Sequence, residues 1–457
     1  TALSDEEVIH KEVEGKLWYF KYPIKNSKEY LIVATTRPET MLGDTGIAVH
    51  PQDERYKHLI GKSVNLPIVN REIPIFSDEY VDKDFGTGCV KVTPAHDYND
   101  LEMGRRNSLN SINILNPNGT LNNKVPQRFQ GIDRLKVRGM IIKEISDLNL
   151  LEKVENHTHQ VGHSERTDEV IEPYMSEQWF VKMKSLAEKA LDVVKNEDIK
   201  FYPKRWTKTY YHWMENIQDW CISRQLIWGH QIPVWYNNEE LYVGKNPPKN
   251  GTWEQDPDVL DTWFSSWLWP FATLGWPKDK KDIEKFYPTQ DLVTGPDIIF
   301  FWVARMIMAG LYVEKEIPFS NVYFTGIVRD SQGRKMSKSL GNSPDPLDLI
   351  NNYGADALRV GMLLIAPQGL DILFSEERIE QGRNFMNKIW NCSRFLMLNI
   401  NENLPKSLSD INVNNLDISD KWILSRMNNT IKDVDFAYSQ YRLNDAVKIV
   451  YDFVWSE

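Results

Sequence analysis

The chain has little cysteine and no excess of positive charge. Its 457 residues include three cysteines (Cys89, Cys221 and Cys392), none in a CxxC pair. This spacing argues against a disulfide framework or a thiolate zinc site, and it suits a reducing cytosol. Lysine and arginine number 54 against 64 acidic residues, a net charge of −10. Any site for a polyanion must therefore be a local basic patch.

Long apolar runs, repeats and low-complexity tracts are also missing. The longest apolar stretch, residues 298–313, contains Arg305. We therefore predict that it is too short to cross a bilayer. The first residues do not form a signal peptide and begin without Met, and we expect the chain to start partway through a longer protein. Hydrophobic residues make up 41% of the chain and charged residues 26%, which is typical of globular proteins.

Two patterns divide the chain. Residues 16–96 contain short β-rich runs separated by turn residues, followed by two helical patterns, which predicts a compact mixed β domain. After Val170, strand-like segments ("QIPVWY", "NVYFTGIV") alternate with helical ones ("QWFVKMKSLAEKALDVV", "PDIIFFWVARMIMAGLYV"). This alternation predicts a parallel α/β layer, and the remainder of the chain reads as helices joined by an Asn-rich linker.

A lysine-rich loop, "VRDSQGRKMSKSLGN" at residues 328–342, follows the strand-like "NVYFTGIV". In an open α/β sheet, ligands bind at the carboxyl ends of the strands. Lys335 and Lys338 flank Ser337 and can meet the charge of a polyphosphate, while the small neighbouring residues let the loop close. A solvated basic turn is the alternative interpretation for any short run of this kind.

The loop resembles the KMSKS loop of class I aminoacyl-tRNA synthetases, and nearly the whole chain is similar to the valyl-tRNA synthetase family. The blocks that carry the resemblance occur in the family's order: "ATTRPETMLGDTGIAVHPQDERY", "FGTGCVKVTPAHDYND", "IQDWCISRQLIWGHQIP", "DVLDTWFSS", "GPDIIFFWVARMIM" and "GRKMSKSLGN". Together they are far more specific than any one of them.

The resemblance implies an α/β fold, the second half of a class I Rossmann-type catalytic domain with an inserted mixed β-barrel editing domain. The expected segments are the end of the first catalytic segment (1–13), the editing domain (14–172), the catalytic half with its lysine loop (173–345), a helical stem-contact region and linker (346–418) and the start of an anticodon-binding helical domain (419–457). The implied activity is ATP-dependent ligation of valine to tRNA(Val) through valyl-adenylate.

The resemblance also implies roles in activation. Lys335 and Lys338 would stabilise the pyrophosphate leaving group. The implied ATP-binding residues are Gly295, Asp297, Lys335, Met336, Ser337 and Lys338. The implied valine pocket consists of Trp263, Ile298 and Trp302, although large aromatic residues are often simply core. Arg224 belongs to a block beside the active site, and Gln231 stands where the family leads us to expect a basic residue.

A pocket shaped for valine has a predictable weakness. Threonine is nearly isosteric, and an apolar pocket rejects its hydroxyl by only about a hundredfold. A second, hydrolytic site is then needed, and the resemblance places it in the β-rich insertion. The implied editing residues are Arg37, Thr40, Phe85, Lys91, Thr93, Asp97 and Asp100.

Individual roles in editing follow from residue chemistry within those blocks. Asp100 is expected to pair with the α-ammonium of the substrate, and Lys91 to help stabilise the oxyanion. Pro38 suits the first position of a helix. Asp97 taken alone would read as a helix cap. His96 is expected to be structural or a supporting hydrogen-bonder rather than a general base.

The family's HIGH tetrapeptide is missing, so we expect a fragment that cannot activate valine alone. The expected partners are tRNA(Val), valine and ATP with Mg²⁺. We expect no protein-bound zinc and no membrane, a monomer, and a cytoplasmic location. Alternatives are an isoleucyl- or leucyl-tRNA synthetase fragment, whose family block usually contains an Arg-Gly-Trp run, a catalytically decayed tRNA-binding paralogue, and a freestanding deacylase, which would not need the lysine loop.

Overall fold

The computed structural model describes residues 2–3, 7–165, 167–337, 340–400 and 411–456. The chain divides into two compact units, Thr1–Trp179 and Phe180–Glu457. Each unit is described by itself below. The division lies close to the change of sequence character near Val170.

The described residues of unit 1 form seven strands and two α-helices. They are β1 (Val8–Pro23), β2 (Tyr30–Thr35), β3 (Gly46–Val49), β4 (Ser63–Leu66), β5 (Arg71–Ser77), β6 (Cys89–Val92), α1 (Tyr98–Arg106), α2 (Arg134–Asp147) and β7 (Leu151–Ser164). Short 3₁₀ helices span Pro38–Gly43, Lys57–Leu59 and Gln127–Phe129. The predicted β-rich character of this region is confirmed.

The strands of unit 1 form two sheets. One is antiparallel with order β2-β1-β7, and the other is mixed with order β4-β5-β3-β6, in which β3 and β5 run parallel. An isolated bridge between Ile24 and Val64 joins the sheets. Residues of both sheets contribute to the same hydrophobic core cluster.

Alternate residues of these strands supply the core of unit 1. Phe20 and Tyr22 on β1 and Leu31 and Val33 on β2 are at most 1% exposed, because successive side chains of a strand point to opposite faces. Helix α2 covers this core with Val137, Ile141 and Ile145. Each such side chain contributes roughly 1.5–3 kcal/mol on burial. Leu135, in the first turn of α2, and Leu148, which follows its last residue, are exposed.

Unit 2 begins with short strands and helices. These are β8 (Phe180–Val181), α3 (Lys184–Lys195), β9 (Lys200–Tyr202), α4 (Trp206–Glu215), β10 (Trp220–Cys221), β11 (Ser223–Arg224), β12 (Val234–Asn237), β13 (Glu240–Val243), β14 (Glu254–Gln255), β15 (Val259–Leu260), α5 (Thr262–Ser266), α6 (Trp269–Ala272) and α7 (Lys281–Phe286). The predicted helix at residues 178–194 is thus shorter at its start, where Phe180 and Val181 pair with β10.

The second part of unit 2 contains the remaining strands and the long helices. These are β16 (Thr289–Thr294), α8 (Arg305–Val313), β17 (Phe319–Phe324), β18 (Val328–Arg329), α9 (Pro346–Tyr353), α10 (Ala355–Leu364), β19 (Ile372–Leu373), α11 (Glu376–Asn399), α12 (Ile418–Ser439) and α13 (Leu443–Ser456). A 3₁₀ turn (Pro296–Ile298) and a π-helix (Ile299–Ala304) lead into α8.

The parallel layer predicted from sequence is present, with order β16-β17-β9. The assignment of "QIPVWY" to that layer is wrong. Val234–Asn237 instead pairs antiparallel with β13 and β14, and β9, which the pattern missed, is the third parallel strand. A three-residue strand carries too little periodicity to be identified from sequence.

Residues 298–313 were predicted to be too short to cross a membrane, and the helical segment that contains them, Pro296–Val313, is two residues longer. It has 18 residues and a mean hydropathy of 1.5, which suffice by length and composition. However, 56% of it is buried inside the protein. Met306 and Ile307, for example, are fully buried, as in the core helix of a globular protein.

Candidate editing and activation sites

In unit 1, the turn after β2 positions the first polar cluster. The Thr35 hydroxyl accepts a hydrogen bond from the Arg37 backbone N–H (3.0 Å), and Pro38 then begins the 3₁₀ helix, as predicted for a first helical position. Thr40 lies in this helix and is 4% exposed. Its hydroxyl donates to the Arg37 carbonyl (3.0 Å), which leaves its oxygen able to accept.

Lys91, on β6, lies at the centre of this cluster. Its ammonium donates to the hydroxyls of Thr40 (2.8 Å) and Thr93 (2.7 Å) and to the Asp44 carboxylate (3.2 Å). A lysine ammonium has three protons, so all of its donors are used. A direct contact from Lys91 to an oxyanion therefore requires one of these bonds to break. Lys91 is better placed to orient the two threonine hydroxyls.

Asp44 is a member of the cluster that sequence reasoning missed. Its side chain is fully buried, and it accepts hydrogen bonds from Thr93 Oγ1 (2.7 Å) and Tyr22 OH (2.8 Å). Burial raises the pKa of Asp44, and the charge of Lys91 opposes that rise. The only signal in the sequence was its position in the "ATTRPETMLGDTG" block, since its partner Lys91 is remote along the chain.

Asp97 and Asp100 lie at the start of α1. Asp97 caps the helix by accepting from the backbone N–H groups of Asn99 (2.8 Å) and Asp100 (3.1 Å), so the capping interpretation is confirmed. Asp100 Oδ2 accepts from the Thr93 backbone N–H (2.8 Å), which joins it to the Lys91 cluster. Burial raises the pKa of Asp100 to about 7. A ligand cation beside it would favour the ionised form.

His96 is locked in a structural role. Its Nε2 accepts from the Ile114 backbone N–H (3.0 Å), so the ring proton is on Nδ1, which donates to the Pro173 carbonyl (3.3 Å). Burial lowers the pKa of His96 to about 4, so the ring is neutral near pH 7. The prediction that His96 is structural is confirmed, because neither nitrogen is available to a water.

Arg37 belongs to a chain of alternating charges that sequence reasoning did not find. It donates to the His96 carbonyl (2.7 Å) and forms ion pairs with Glu172 and, at 3.7 Å, with Glu39. Glu39 is in turn held by both nitrogens of the Arg138 fork (2.7 and 2.8 Å). Arg37 is therefore fixed at the edge of the cluster. Burial lowers its pKa.

Phe85, a predicted editing residue, makes its contacts outside the cluster around Lys91. Its side chain is 57% exposed, and its ring meets His157 edge-on with centroids 6.0 Å apart. The loop that carries it is tied to β2, since Thr87 Oγ1 donates to the Ile32 carbonyl (2.6 Å). The structure thus brings Arg37, Thr40, Lys91, Thr93, Asp97 and Asp100 together, with Phe85 beside a histidine of β7.

In unit 2, two adjacent parallel strands bring the predicted nucleotide residues together. Gly295 and Asp297 follow β16, and the lysine loop follows β17. Lys335 Nζ lies 3.9 Å from Asp297 Oδ2, and both side chains are exposed. A Cβ on Gly295 would come within 2.6 Å of Asp297 Oδ1. The absence of a side chain at Gly295 therefore leaves room for the Asp297 carboxylate.

Asp330 organises the lysine loop. It accepts from the side chains of Asn342 (2.9 Å) and Arg334 (2.8 Å), and these bonds, that of Asn342 first, lower its pKa. The Ser337 backbone N–H donates to Asn342 Oδ1 (2.9 Å), and Met336 is half-buried. Lys338, predicted to bind ATP, lies outside the residues that the structure describes.

The predicted amino-acid pocket lies on two elements that touch. Trp263 on α5 stacks on Phe301, with centroids 5.3 Å apart and planes 22° apart. The Trp302 indole N–H donates to the Ser266 carbonyl (3.1 Å), which ties the π-helix to α5. Ile298 directly precedes the π-helix and is half-buried. All three predicted residues are therefore within one neighbourhood.

Arg224 is held by hydrogen bonds within unit 2. It is 4% exposed, and its guanidinium donates to the Cys221 carbonyl (2.9 Å) and to the Asp261 carboxylate (3.1 Å). Gln231 donates to the Asp256 carbonyl (2.9 Å). Within the described ranges, no group of three or more His, Cys, Asp or Glu could hold a metal ion.

Comparison with known families identifies the class. The family model described as "tRNA synthetases class I (I, L, M and V)" matches residues 1–249 and 244–375, and that described as "Anticodon-binding domain of tRNA ligase" matches residues 420–457. The chain belongs to the class I tRNA synthetase family. Its fold is accordingly the mixed α/β fold of that class, with several sheets.

Individual relatives narrow the resemblance. The chain is 55% identical to "Valine--tRNA ligase" of Clostridium tetani over 465 aligned residues, and 54% identical to that of Geobacillus stearothermophilus over 462. Each alignment covers 100% of this chain but 52% of the relative, so the chain spans about half their length. The structure of Mycobacterium tuberculosis methionyl-tRNA synthetase with methionyl-adenylate resembles it in fold, with a TM-score of 0.50 at 21% identity, covering 64% of this chain and 54% of that one.

Proposed function

We propose that this chain is part of an enzyme that joins valine to tRNA(Val) through valyl-adenylate, and that unit 1 hydrolyses threonyl-tRNA(Val). The two relatives named above, valine--tRNA ligases at 54–55% identity over the whole chain, support the valine assignment over the isoleucyl and leucyl alternatives. An intact, buried polar cluster argues against a decayed tRNA-binding paralogue.

The observation that carries the editing proposal is the arrangement around Thr93. Its backbone N–H holds Asp100, and its hydroxyl bridges Lys91 and Asp44. A carboxylate with a pKa near 7 is thereby set beside fixed hydroxyls in a mostly water-excluded site. Such a site can pair with an α-ammonium and can accept the hydroxyl of threonine. We further propose that the two sheets of unit 1 form the editing barrel.

For activation, the proposal assigns ATP to the carboxyl ends of β16 and β17, with Gly295, Asp297 and Lys335 around it. Lys335 is exposed and its ammonium lies as far as 3.9 Å from the Asp297 carboxylate, so its side chain can turn to a pyrophosphate. Trp263, Ile298 and Trp302 would form the valine pocket. ATP would bring Mg²⁺, and we propose no protein-bound zinc, a monomer, and a cytoplasmic enzyme without membrane attachment.

The deciding experiment measures deacylation by this chain of three substrates: threonyl-tRNA(Val), valyl-tRNA(Val) and valyl-tRNA(Ile). We expect rapid hydrolysis of the first and slow hydrolysis of the second. Equal rates on all three would remove the valyl assignment. An Asp100→Ala variant should lose most activity on threonyl-tRNA(Val), and an unaffected variant would remove Asp100 from the site.

A further inference from the structure

The first residue of α8, Arg305, is a charged side chain in the interior of unit 2. It is only 1% exposed and is among the largest side chains that are fully buried. An arginine side chain is always charged in proteins, and the burial of a charge costs free energy unless other groups compensate it. The activation chemistry proposed above gives Arg305 no role, so its burial needs another explanation.

Three aromatic rings lie around the guanidinium of Arg305. Its Cζ is 3.7 Å from the centroid of the Trp220 ring. The centroids of Phe300 and Phe301, both in the π-helix, are 5.3 and 5.6 Å away. A cation within about 6 Å of a ring centroid is attracted to the face of the ring. Arginine suits this place because its planar, weakly hydrated guanidinium stacks on aromatic rings.

Trp220 connects Arg305 to the backbone of Trp263, a residue of the proposed valine pocket. The Trp220 indole N–H donates to Asp261 Oδ2 (2.9 Å). The other oxygen of this carboxylate, Oδ1, accepts from the Trp263 backbone N–H (3.2 Å) and thereby caps α5. Trp220 and Asp261 are 4% and 5% exposed, so these bonds lie in a medium of low dielectric constant, where they are stronger than in water. The start of α5 is therefore fixed by a side chain that itself packs against Arg305.

Phe301 connects Arg305 to the ring of Trp263. The rings of Phe301 and Trp263 stack, with centroids 5.3 Å apart and planes 22° apart. Phe301 thus lies close to both the guanidinium and the indole. Arg305 therefore supports the helix that carries Trp263 and also the ring against which Trp263 packs. A side chain that is fixed both at its backbone and at its face has little freedom to shift.

We propose that Arg305 is a positioning residue that holds the Trp263 ring in place in the valine pocket and so sets the selection of valine over larger amino acids. The inference rests on the proposed function, because it takes Trp263 as part of that pocket. One additional methylene group changes binding to an apolar pocket by only about 10- to 200-fold, so a small shift of the Trp263 ring is enough to admit isoleucine. Lysine cannot replace Arg305, because its compact, strongly hydrated ammonium lacks the plane that stacks on rings.

The test uses a protein that contains this chain and is competent for activation, and it measures ATP–pyrophosphate exchange with valine and with isoleucine. Arg305→Lys should raise KM for valine about tenfold and lower the preference for valine over isoleucine about tenfold. KM for ATP and kcat with valine should stay near the wild-type values, because only the binding of the amino acid changes. Arg205→Lys is the matched control and should behave as wild type, since this exposed arginine also lies over an indole, that of Trp206, at 5.5 Å.

A second variant, Trp220→Phe, keeps a ring beside Arg305 and removes the indole N–H that donates to Asp261. It should raise KM for valine about threefold, the effect of losing one hydrogen bond, and leave KM for ATP unchanged. Thermal unfolding identifies a variant that does not fold. If Arg305→Lys does not fold, Trp220→Phe decides the outcome.

The outcomes separate this inference from the proposed function. If folded Arg305→Lys and Trp220→Phe proteins keep the wild-type KM for valine and the wild-type preference, Arg305 has no positioning role and the inference fails alone. A parallel rise of KM for valine and KM for ATP would also overturn it, because it would indicate a general distortion of unit 2. If the wild-type protein does not activate valine, the proposed function fails and this inference fails with it.

Discussion

Lys91 and Asp44 form an ion pair in the interior of unit 1, with 3.2 Å between Nζ and Oδ1 and side-chain exposures of 9% and 0%. The pair fixes the positions of the Thr40 and Thr93 hydroxyls. The sequence blocks alone do not show that these groups lie together. Its burial makes the two charges depend on each other. Removing either one leaves the other without compensation in a medium of low dielectric constant.

We therefore expect Lys91→Met to destabilise unit 1 by about 3–5 kcal/mol. Adding Asp44→Asn in the same chain should restore part of the loss, because the uncompensated carboxylate is then gone. Urea denaturation of the single and double variants measures this coupling. The exposed Lys57, which is paired with Glu54, provides the control, and Lys57→Met should change stability by less than about 0.5 kcal/mol. A Lys91→Met protein as stable as that control would contradict the buried-pair account.

The raised pKa of Asp100 predicts a pH dependence of editing. Because burial raises the pKa of Asp100 to about 7, the carboxylate that pairs with an α-ammonium becomes available only as pH rises through that value. We expect kcat/KM for threonyl-tRNA(Val) deacylation to rise between about pH 6 and pH 8. Asp100→Asn should be at least about tenfold slower and should lose the inflection. Glu102→Gln, on the same helix, should keep the wild-type profile.

The same shift predicts a cost in stability, with a definite sign. The native carboxyl holds its proton to about pH 7, whereas an unfolded Asp releases it near pH 3.9. The folded protein therefore loses stability as pH rises from about 4 to above 7. Asp100→Asn removes this loss, so it should match wild type near pH 4 and exceed it near pH 8 in denaturant midpoint. A variant less stable than wild type near pH 8 would refute the argument.

His96 should prove important for folding and irrelevant as a base. His96→Ala leaves the Ile114 N–H and the Pro173 carbonyl without their partner, which should cost about 2 kcal/mol. Deacylation that remains in the folded fraction should keep its inflection near pH 7. His58→Ala, at an exposed position, is the control for both measurements. Full stability combined with abolished hydrolysis would point to a chemical role instead.

Lys335 should matter for activation and little for stability, because its side chain is 69% exposed. In a protein competent for activation, we expect Lys335→Ala to lower valine-dependent ATP–pyrophosphate exchange by roughly 100-fold, the usual effect of removing one electrostatic contact to a developing charge. The exposed Lys278 supplies the matched control. Exchange by Lys335→Ala equal to that of Lys278→Ala would exclude the assigned role.

Local chemistry in this chain was largely predictable from sequence. Pro38 begins a helix, Asp97 caps one, and the lysine loop follows a parallel strand, because each depends on residues close together in the chain. The sequence blocks also predicted that Trp263 and Trp302 belong to one pocket. Only the structure shows that the Trp302 indole N–H donates to the Ser266 carbonyl.

Pairings between distant residues were not predictable. Asp44 and Lys91 are 47 residues apart, and Glu172 reaches Arg37 from 135 residues away. No periodicity records such contacts, because they depend on how strands that are distant along the chain are paired in a sheet. The antiparallel placement of Val234–Asn237 has the same cause, since a short apolar run fits either kind of ladder.

The π-helix at Ile299–Ala304 makes the proposed valine pocket sensitive to the number of residues in this segment as well as to their type. Its hydrogen bonds span five residues instead of four, so the segment accommodates more residues per turn than the α-helix that follows. Deleting one residue there would let a regular α-helix continue through Arg305. It would also rotate Trp302 away from its hydrogen-bond acceptor, the Ser266 carbonyl. The deletion of one residue should therefore let the proposed valine pocket accept a wider range of amino acids, although the composition of the protein core is almost unchanged.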